Sequence, residues 1–287
     1  MGKKSSNSAF SHISTVVMRN RYLYNGEPAR RNRVNVEHWV GKVNVGDQIS
    51  VPIVEWMLKK RNIDIDRPVS RTKHLLALGS IIGCGHFDAT VWGSGVNTPL
   101  ATYRTGRRRN RVKLDIRALR GPLTRSALES FGYDCSRCVY GDPGILMPLM
   151  YQPSASKKKY KVSVICHFQM EKGIKERYPQ FHFISVNTSN YAAFIDEIAA
   201  SEMIISSSLH GIILSEAYGV PAVFFNADGI MDKEIIKYYD WYYSTGRRTV
   251  VAAQTVGEAM SYTPMALPDL SVMQKELMER FPYDLWE

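Results

Sequence analysis

What this sequence has little of sets the first limits. Four cysteines, Cys84, Cys135, Cys138 and Cys166, are scattered through 287 residues. That is too few for a disulfide framework and points to a reducing compartment. Cys135 and Cys138 have CxxC spacing, but a zinc or redox role needs a second cysteine pair or a redox-type helix, and no second pair follows. No metal is expected. No stretch reaches the roughly 18 uninterrupted apolar residues of a membrane span, and the polar start MGKKSSNSAF lacks the apolar core of a secretion signal. A cytoplasmic protein is expected.

No internal repeat stands out, and acidic residues are in the minority. Against 37 Lys and Arg stand 27 Asp and Glu, a formal net charge of +10. Such an excess calls for an anionic partner: phosphate esters, a membrane surface or nucleic acid. The run RTGRRRNR, residues 104–111, has no interleaved aromatics and no helix-turn-helix or RNA-recognition signature. It reads as a solvated loop at the mouth of a cleft, and no nucleic acid is expected.

What is present is an ordinary globular composition, 45% apolar and 22% charged, in a chain long enough for two domains of roughly 130 residues. Residues 1–33 read as a basic lead-in. From Val34, VNVEHWV alternates like a strand, KVNVGD reads as a loop and QISVPIVEWMLKKR as a helix. HLLALGSII and TVWGSGV read as buried strands ending in glycine-rich loops. RVKLDIRAL alternates as a strand, Pro122 sits where a first helical turn tolerates proline, and Gly132 is placed to cap the far end.

Proline, serine and lysine replace apolar periodicity around residues 151–159, which sets a boundary between domains at 34–155 and 156–268. The second half alternates YKVSVICHF, EKGIKERY, FHFISV, SNYAAFIDEIAA, EMIIS, HGIILSEAYG and PAVFF. Strand and helix at this tempo mark a doubly wound α/β domain. Residues 269–287 read as an amphipathic helix packing across the lobes.

In a parallel α/β sheet, ligands bind beyond the carboxyl ends of the strands, where helix N-termini face the crevice. After strand EMIIS come Ser207, Ser208 and Leu209, and a helix opens near His210 or Gly211. Hydroxyls, free N–H groups and a positive helix end favour an anion there. Taken alone, Ser207 or Ser208 could equally be an N-cap. Gly211 in a first helical turn costs about 1 kcal/mol relative to alanine, which suggests that a ligand approaches the backbone.

His167 holds the analogous place after YKVSVICHF. Two strand-end histidines in one sheet suit general acid and base work. In the first half, Asn44, Gly46 and Asp47 follow the first strand, with Asp47 either a site residue or a helix cap. Arg117 and Arg120 lie at the end of the VKLDI strand, where the Arg120 guanidinium suits bidentate pairing with phosphate or carboxylate.

NVGD (Asn44 to Asp47), LGSII, VWGSG, LRGPLTR (Leu119 to Arg125), YGDPGILMP (Tyr140 to Pro148), His167 and SSSLHGIILSEAYGVPAVFF (Ser206 to Phe225) follow one another in order. Together they resemble the polysaccharide pyruvyltransferase family of exopolysaccharide and capsule synthesis. The resemblance implies two Rossmann-like lobes facing across a GT-B-like cleft. It implies phosphoenolpyruvate as co-substrate with no cofactor, and a sugar or lipid-linked oligosaccharide as acceptor. The basic surface would suit peripheral contact with the cytoplasmic membrane face.

By matching positions, His210 takes the essential histidine role and His167 that of its partner, with their acid and base roles open. Arg120 would bind the donor's anionic groups, with Ser207, Ser208, Leu209 and Gly211 beside it. Asn44, Gly46, Asp47, Asp142 and Glu216 would support the acceptor side. Many members carry arginine where this chain has Ser208, so Arg117 or a residue of the 104–111 run would complete the clamp.

Two other readings stay open. HG followed by SEAYGVP also resembles GT-B glycosyltransferases using nucleotide sugars, in which Glu216 would bind the ribose, although NVGD and RGPLTR favour the pyruvyl family. The third is a non-catalytic basic protein that binds nucleic acid or acidic glycan, marked by strongly salt-dependent binding.

Overall fold

In the computed structural model, which describes residues 28–39, 41–83, 85, 87–99, 105–107, 110–154 and 157–287, two five-stranded parallel sheets form two Rossmann-like lobes. The first lobe contains β1 (Val34–Glu37), α1 (Val45–Gln48), α2 (Ser50–Lys59), β2 (Lys73–Leu76), β3 (Ala89–Trp92), β4 (Leu114–Leu119), α3 (Pro122–Ser130) and β5 (Val139–Tyr140). Its strands lie side by side in chain order. A 3-10 turn (Pro143–Leu146) and α4 (Met147–Met150) lead to the second lobe.

There the elements are β6 (Tyr160–Ile165), α5 (Glu171–Arg177), β7 (His182–Phe183), α6 (Tyr191–Ala199), β8 (Ser201–Ser206), α7 (Leu209–Ala217), β9 (Ala222–Phe225), a 3-10 turn (Ile230–Glu234), α8 (Ile235–Ser244), β10 (Ala252–Ala253) and α9 (Val256–Ser261). The strand order β10-β9-β8-β6-β7 is doubly wound. The chain therefore reverses its winding between β6 and β8, which opens a crevice beyond their carboxyl ends.

The expected strands are present, most of them shorter, although β8 begins one residue before the expected EMIIS. VNVEHWV is strand only over Val34–Glu37, and FHFISV only over His182–Phe183. Periodicity assigns nothing to residues 227–253, where α8 reads IIKYYDWYYS; aromatics on most of its faces mask the helical period. The basic lead-in through residue 27, and Arg104, Arg108 and Arg109 of the arginine run, lie outside the described residues.

α7 is buried from Leu209 through Glu216, as expected of a helix with no polar face. Its apolar side chains join a single hydrophobic cluster that also contains Val45, Ile49, Leu78 and Ile145 of the first lobe. The lobes thus share a core, and a buried ion pair fastens them. Arg120 Nε donates to Asp240 Oδ2 at 3.1 Å, both side chains fully buried. Asp240 also accepts from the Leu123 and Thr124 backbone N–H groups and from Thr124 Oγ1. One carboxylate on α8 therefore caps α3 of the other lobe, the role that Gly121 at the N-cap has no side chain to fill. Nearby, Val45 N–H donates across the cleft to Val186 O at 2.9 Å.

The segment from Asp269 is not one helix. α10 (Ser271–Glu279) ends before Pro282, and a 3-10 turn (Tyr283–Trp286) follows. It leaves the second lobe and docks on the first. Leu277 O accepts from Trp92 Nε1 at 2.8 Å, Tyr283 Oη donates to Met57 O at 3.0 Å, and Trp286 Nε1 donates to Ile65 O at 3.0 Å. Among the described residues, no helix is long and apolar enough to cross a membrane.

Candidate active site

A cavity of about 290 Å³ lies between the lobes, and each residue lining it follows the carboxyl end of a strand. From the first lobe come Trp39, Asn44 and Asp47 after β1, Ser80 after β2 and Asn97 after β3. From the second come His167 and Phe168 after β6, Ser208, Leu209 and His210 after β8, and Glu234 and Lys237 beyond β9. His167 and His210 thus stand on either side of the winding reversal between β6 and β8.

His210 is set in the first turn of α7. Ser208 caps that helix, its Oγ accepting from Gly211 N at 3.4 Å, and Ser206 Oγ accepts from Ser208 N–H at 3.0 Å. The imidazole reaches across to the first lobe, where its Nε2 lies 3.5 Å from Asp142 Oδ2. Asp142 is held in turn by Gly144 N–H, which donates to its Oδ1 at 2.9 Å. Among the described residues Asp142 Oδ2 and His210 Nε2 are both buried with no hydrogen-bond partner, so the two groups chiefly face each other.

The first lobe makes room for this ring through Gly46. Asn44 caps α1, its Oδ1 accepting from Gly46 N at 3.0 Å, and Gly46 lies close against His210. A Cβ at Gly46 would lie 2.1 Å from His210 Nδ1 and 2.7 Å from His210 Cβ. Asp47, the next residue, faces the cavity, and its carboxyl pKa is raised by burial, against the pull of His210, His38 and Lys237.

His167 is positioned by its backbone, which donates to Ser207 Oγ at 2.9 Å. Burial first, and then the Lys237 charge, lower its pKa to about 4, opposed by Glu234. It is therefore neutral at pH 7. Lys237 Nζ donates to Glu234 Oε2. Burial lowers the Lys237 pKa, with Glu234 resisting. For Glu234, burial is outweighed by Lys237 and His167, and its pKa falls.

The cavity brings together His210, His167, Ser208, Leu209, Asn44 and Asp47, with Asp142 behind His210. Other expected site residues are placed elsewhere. Arg120 is fully buried, its guanidinium spent on Asp240, Ser80 Oγ at 2.5 Å and Val96 O at 2.6 Å. It fastens the lobes and does not line the cavity. Arg117 does not reach the cleft, because it points to the outer surface and pairs bidentately with Asp284 at 2.5 and 2.7 Å. Glu216 has both oxygens engaged, by Arg247 at 2.6 and 2.9 Å and by Trp241 Nε1 at 2.9 Å.

Ser207 is wholly buried and serves the strand ends, accepting from His167 N–H through Oγ and from Tyr238 Oη through its carbonyl. Gly211 is required by packing instead of by a ligand: a Cβ there would meet Ser206 Oγ at 2.4 Å and Ile165 Cγ2 at 2.8 Å. Besides Trp39, Asn97 and Phe168 of the lining, sequence reasoning missed the charged residues Glu234 and Lys237 in the cavity and Asp240 behind it. Their one signal is charge at 234, 237 and 240, spaced three apart, in a stretch otherwise rich in aromatics and isoleucine.

Residues 44–229 match the model of the family described as polysaccharide pyruvyl transferase. An uncharacterised protein of Acanthamoeba polyphaga mimivirus is 23% identical over 219 residues, covering 74% of this chain and 74% of its own. A functionally uncharacterised protein of Klebsiella pneumoniae, known from a crystal structure, superposes with a TM-score of 0.48 at 13% identity, covering 86% of this chain and 99% of its own.

Proposed function

Since the chain belongs to the polysaccharide pyruvyl transferase family, we propose that it moves the pyruvyl group of phosphoenolpyruvate onto two hydroxyls of one sugar, forming a cyclic ketal and releasing phosphate. The observation that carries this reading is the pair of histidines in unlike settings across one cavity. His210, between Asp142 and Asp47, is suited to hold and deliver a proton. His167, kept neutral by burial and Lys237, is suited to accept one.

In this reading His210 protonates the methylene carbon of the donor, giving an oxocarbenium-like centre. A sugar hydroxyl attacks that centre and loses its proton to His167. The C–O bond to phosphate breaks, a second hydroxyl closes the ketal, and its proton leaves with phosphate. Of the two protons lost from the sugar, one leaves with phosphate and the other, taken by His167, returns through solvent to His210, which has given its own to the new methyl group. Trp39 and Phe168 line the same cavity, and aromatic side chains there suit a sugar ring. The test is acceptor-dependent phosphate release from phosphoenolpyruvate over a panel of lipid-linked sugars. Consumption of a UDP-sugar without phosphate release would instead support a nucleotide-sugar transferase, although Glu216, its expected ribose ligand, is occupied by Arg247 and Trp241.

Gly46→Ala follows directly from the contact with His210. Because the stem of the histidine is blocked as well as its ring, no rotamer change relieves the overlap. A stability loss of about 1–3 kcal/mol is expected, together with a drop in turnover of about a hundredfold from the displaced ring. Urea unfolding and initial rates measure both; wild-type values for the pair would contradict the placement of His210.

His167 gives a pH signature. Its pKa in the fold, about 4, lies below its ordinary value of 6.5. As pH falls from 6.5 towards 4, the unfolded chain takes up a proton at this residue that the native protein does not, so the native state loses stability across that window. His167→Asn removes this loss. The fall in Tm between pH 7 and pH 4.5 should be smaller in the variant, and an equal fall would show that His167 is not held neutral.

A further inference from the structure

Lys237 is a buried cation whose ion-pair partner is local. Its side chain is only 10% exposed, and its charge is met by Glu234, three residues earlier on the same stretch of chain. Burying two charges is costly, and a buried pair is weak evidence of a stabilising role. Arg120 and Asp240 pair across the lobes. The Lys237–Glu234 bond stays within one short stretch of the second lobe, with Asn97 of the first lobe reaching the Glu234 carboxylate, and both residues face the cavity.

The surroundings of the ammonium are those of an anion site. Ser208 and the N-terminus of α7, which carries partial positive charge, line the same cavity. Arg120 adds positive potential from behind. Asn97, also lining the cavity, supports the Glu234 carboxylate with a hydrogen bond. The carboxylate thus sits where an incoming anion would compete for the ammonium. Lys237 also places a cation in the cavity lining itself, which Ser208 cannot supply and which neither Arg117 nor Arg120 joins.

We propose that Lys237 is the phosphate-binding residue of this cavity and that Glu234 holds its ammonium until a phosphate displaces the carboxylate. The identity of the donor rests on the pyruvyl-transfer reading; the phosphate site does not. As the phosphate leaves, the ammonium stabilises the charge it carries away, so inorganic phosphate should compete with the donor.

The probe is inorganic phosphate, titrated calorimetrically into the full chain. Wild type should bind it. Lys237→Met should bind about 30-fold more weakly, the loss of one charged hydrogen-bond donor, and Glu234→Gln should bind it several-fold more tightly because the competing carboxylate is gone. Equal binding by Lys237→Met and wild type overturns the proposal. So does weaker binding by Glu234→Gln, which would make the pair a structural unit, and this variant decides the matter alone if Lys237→Met does not fold. Phosphate binding through Lys237 without turnover of phosphoenolpyruvate on any acceptor would keep the site and remove the pyruvyl reading. Undiminished turnover in Lys237→Met would do the reverse.

Discussion

Replacing His210 by alanine is expected to lower pyruvyl transfer about a thousandfold, the middle of the range for loss of a positioned general acid or base. The ring is the group that joins the two halves of the site. It is anchored on α7 of the second lobe, packs against Gly46 of the first, and directs Nε2 to within 3.5 Å of Asp142 Oδ2. No other described imidazole lines the cavity except His167, which stands across the winding reversal. His210→Gln separates chemistry from packing, since it fills most of the volume but carries no titrating group. Both variants should lose turnover alike under saturating phosphoenolpyruvate. Near-normal turnover in either would remove His210 from the proton-transfer role.

Asp240→Ala is expected to destabilise the protein by about 3–5 kcal/mol, the cost of stripping one partner from a buried ion pair. Its carboxylate accepts from Arg120 Nε, from two backbone N–H groups of α3 and from Thr124 Oγ1. Removal leaves a guanidinium buried and the start of α3 uncapped. Arg120→Met should cost less, because Asp240 keeps its three bonds to α3. Equilibrium unfolding in urea measures both, and a loss under about 1 kcal/mol for Asp240→Ala would mean that the lobes do not depend on this contact. The double variant Arg120→Met, Asp240→Leu should recover part of the loss, since an apolar pair of similar volume can replace a buried ionic one.

Much of the site was legible because parallel sheets place their functional residues by rule. The strand-end positions of His167, His210 and Asp47 could be read from apolar runs that stop at polar loops, and in the structure all three line one cavity. What the rule does not give is where a long side chain points. Arg120 and Arg117 are three residues apart at one strand end, yet one turns inward to Asp240, 120 residues away, and the other outward to Asp284. Their partners are distant in sequence, and no local pattern announces them. Gly211 shows a different limit. A close approach to its backbone could be inferred, but the approaching atoms belong to Ser206 and Ile165. Lys237 was hidden because α8 carries aromatics on most of its faces, so neither period nor polarity marks the face that meets the cavity.

The docking of α10 and the following turn on the first lobe has a consequence for how the protein is made. Trp92 is fully buried, and its indole N–H finds its acceptor, Leu277 O, 185 residues further along the chain. At a ribosomal pace of ~5–20 residues per second, that partner emerges roughly 10–40 s after the strand that needs it. Domains that fold in order of synthesis close their cores as they leave the exit tunnel. Here the first lobe waits with an open apolar edge until the second has been translated. Nascent chains halted before residue 277 should present that edge to holdase chaperones.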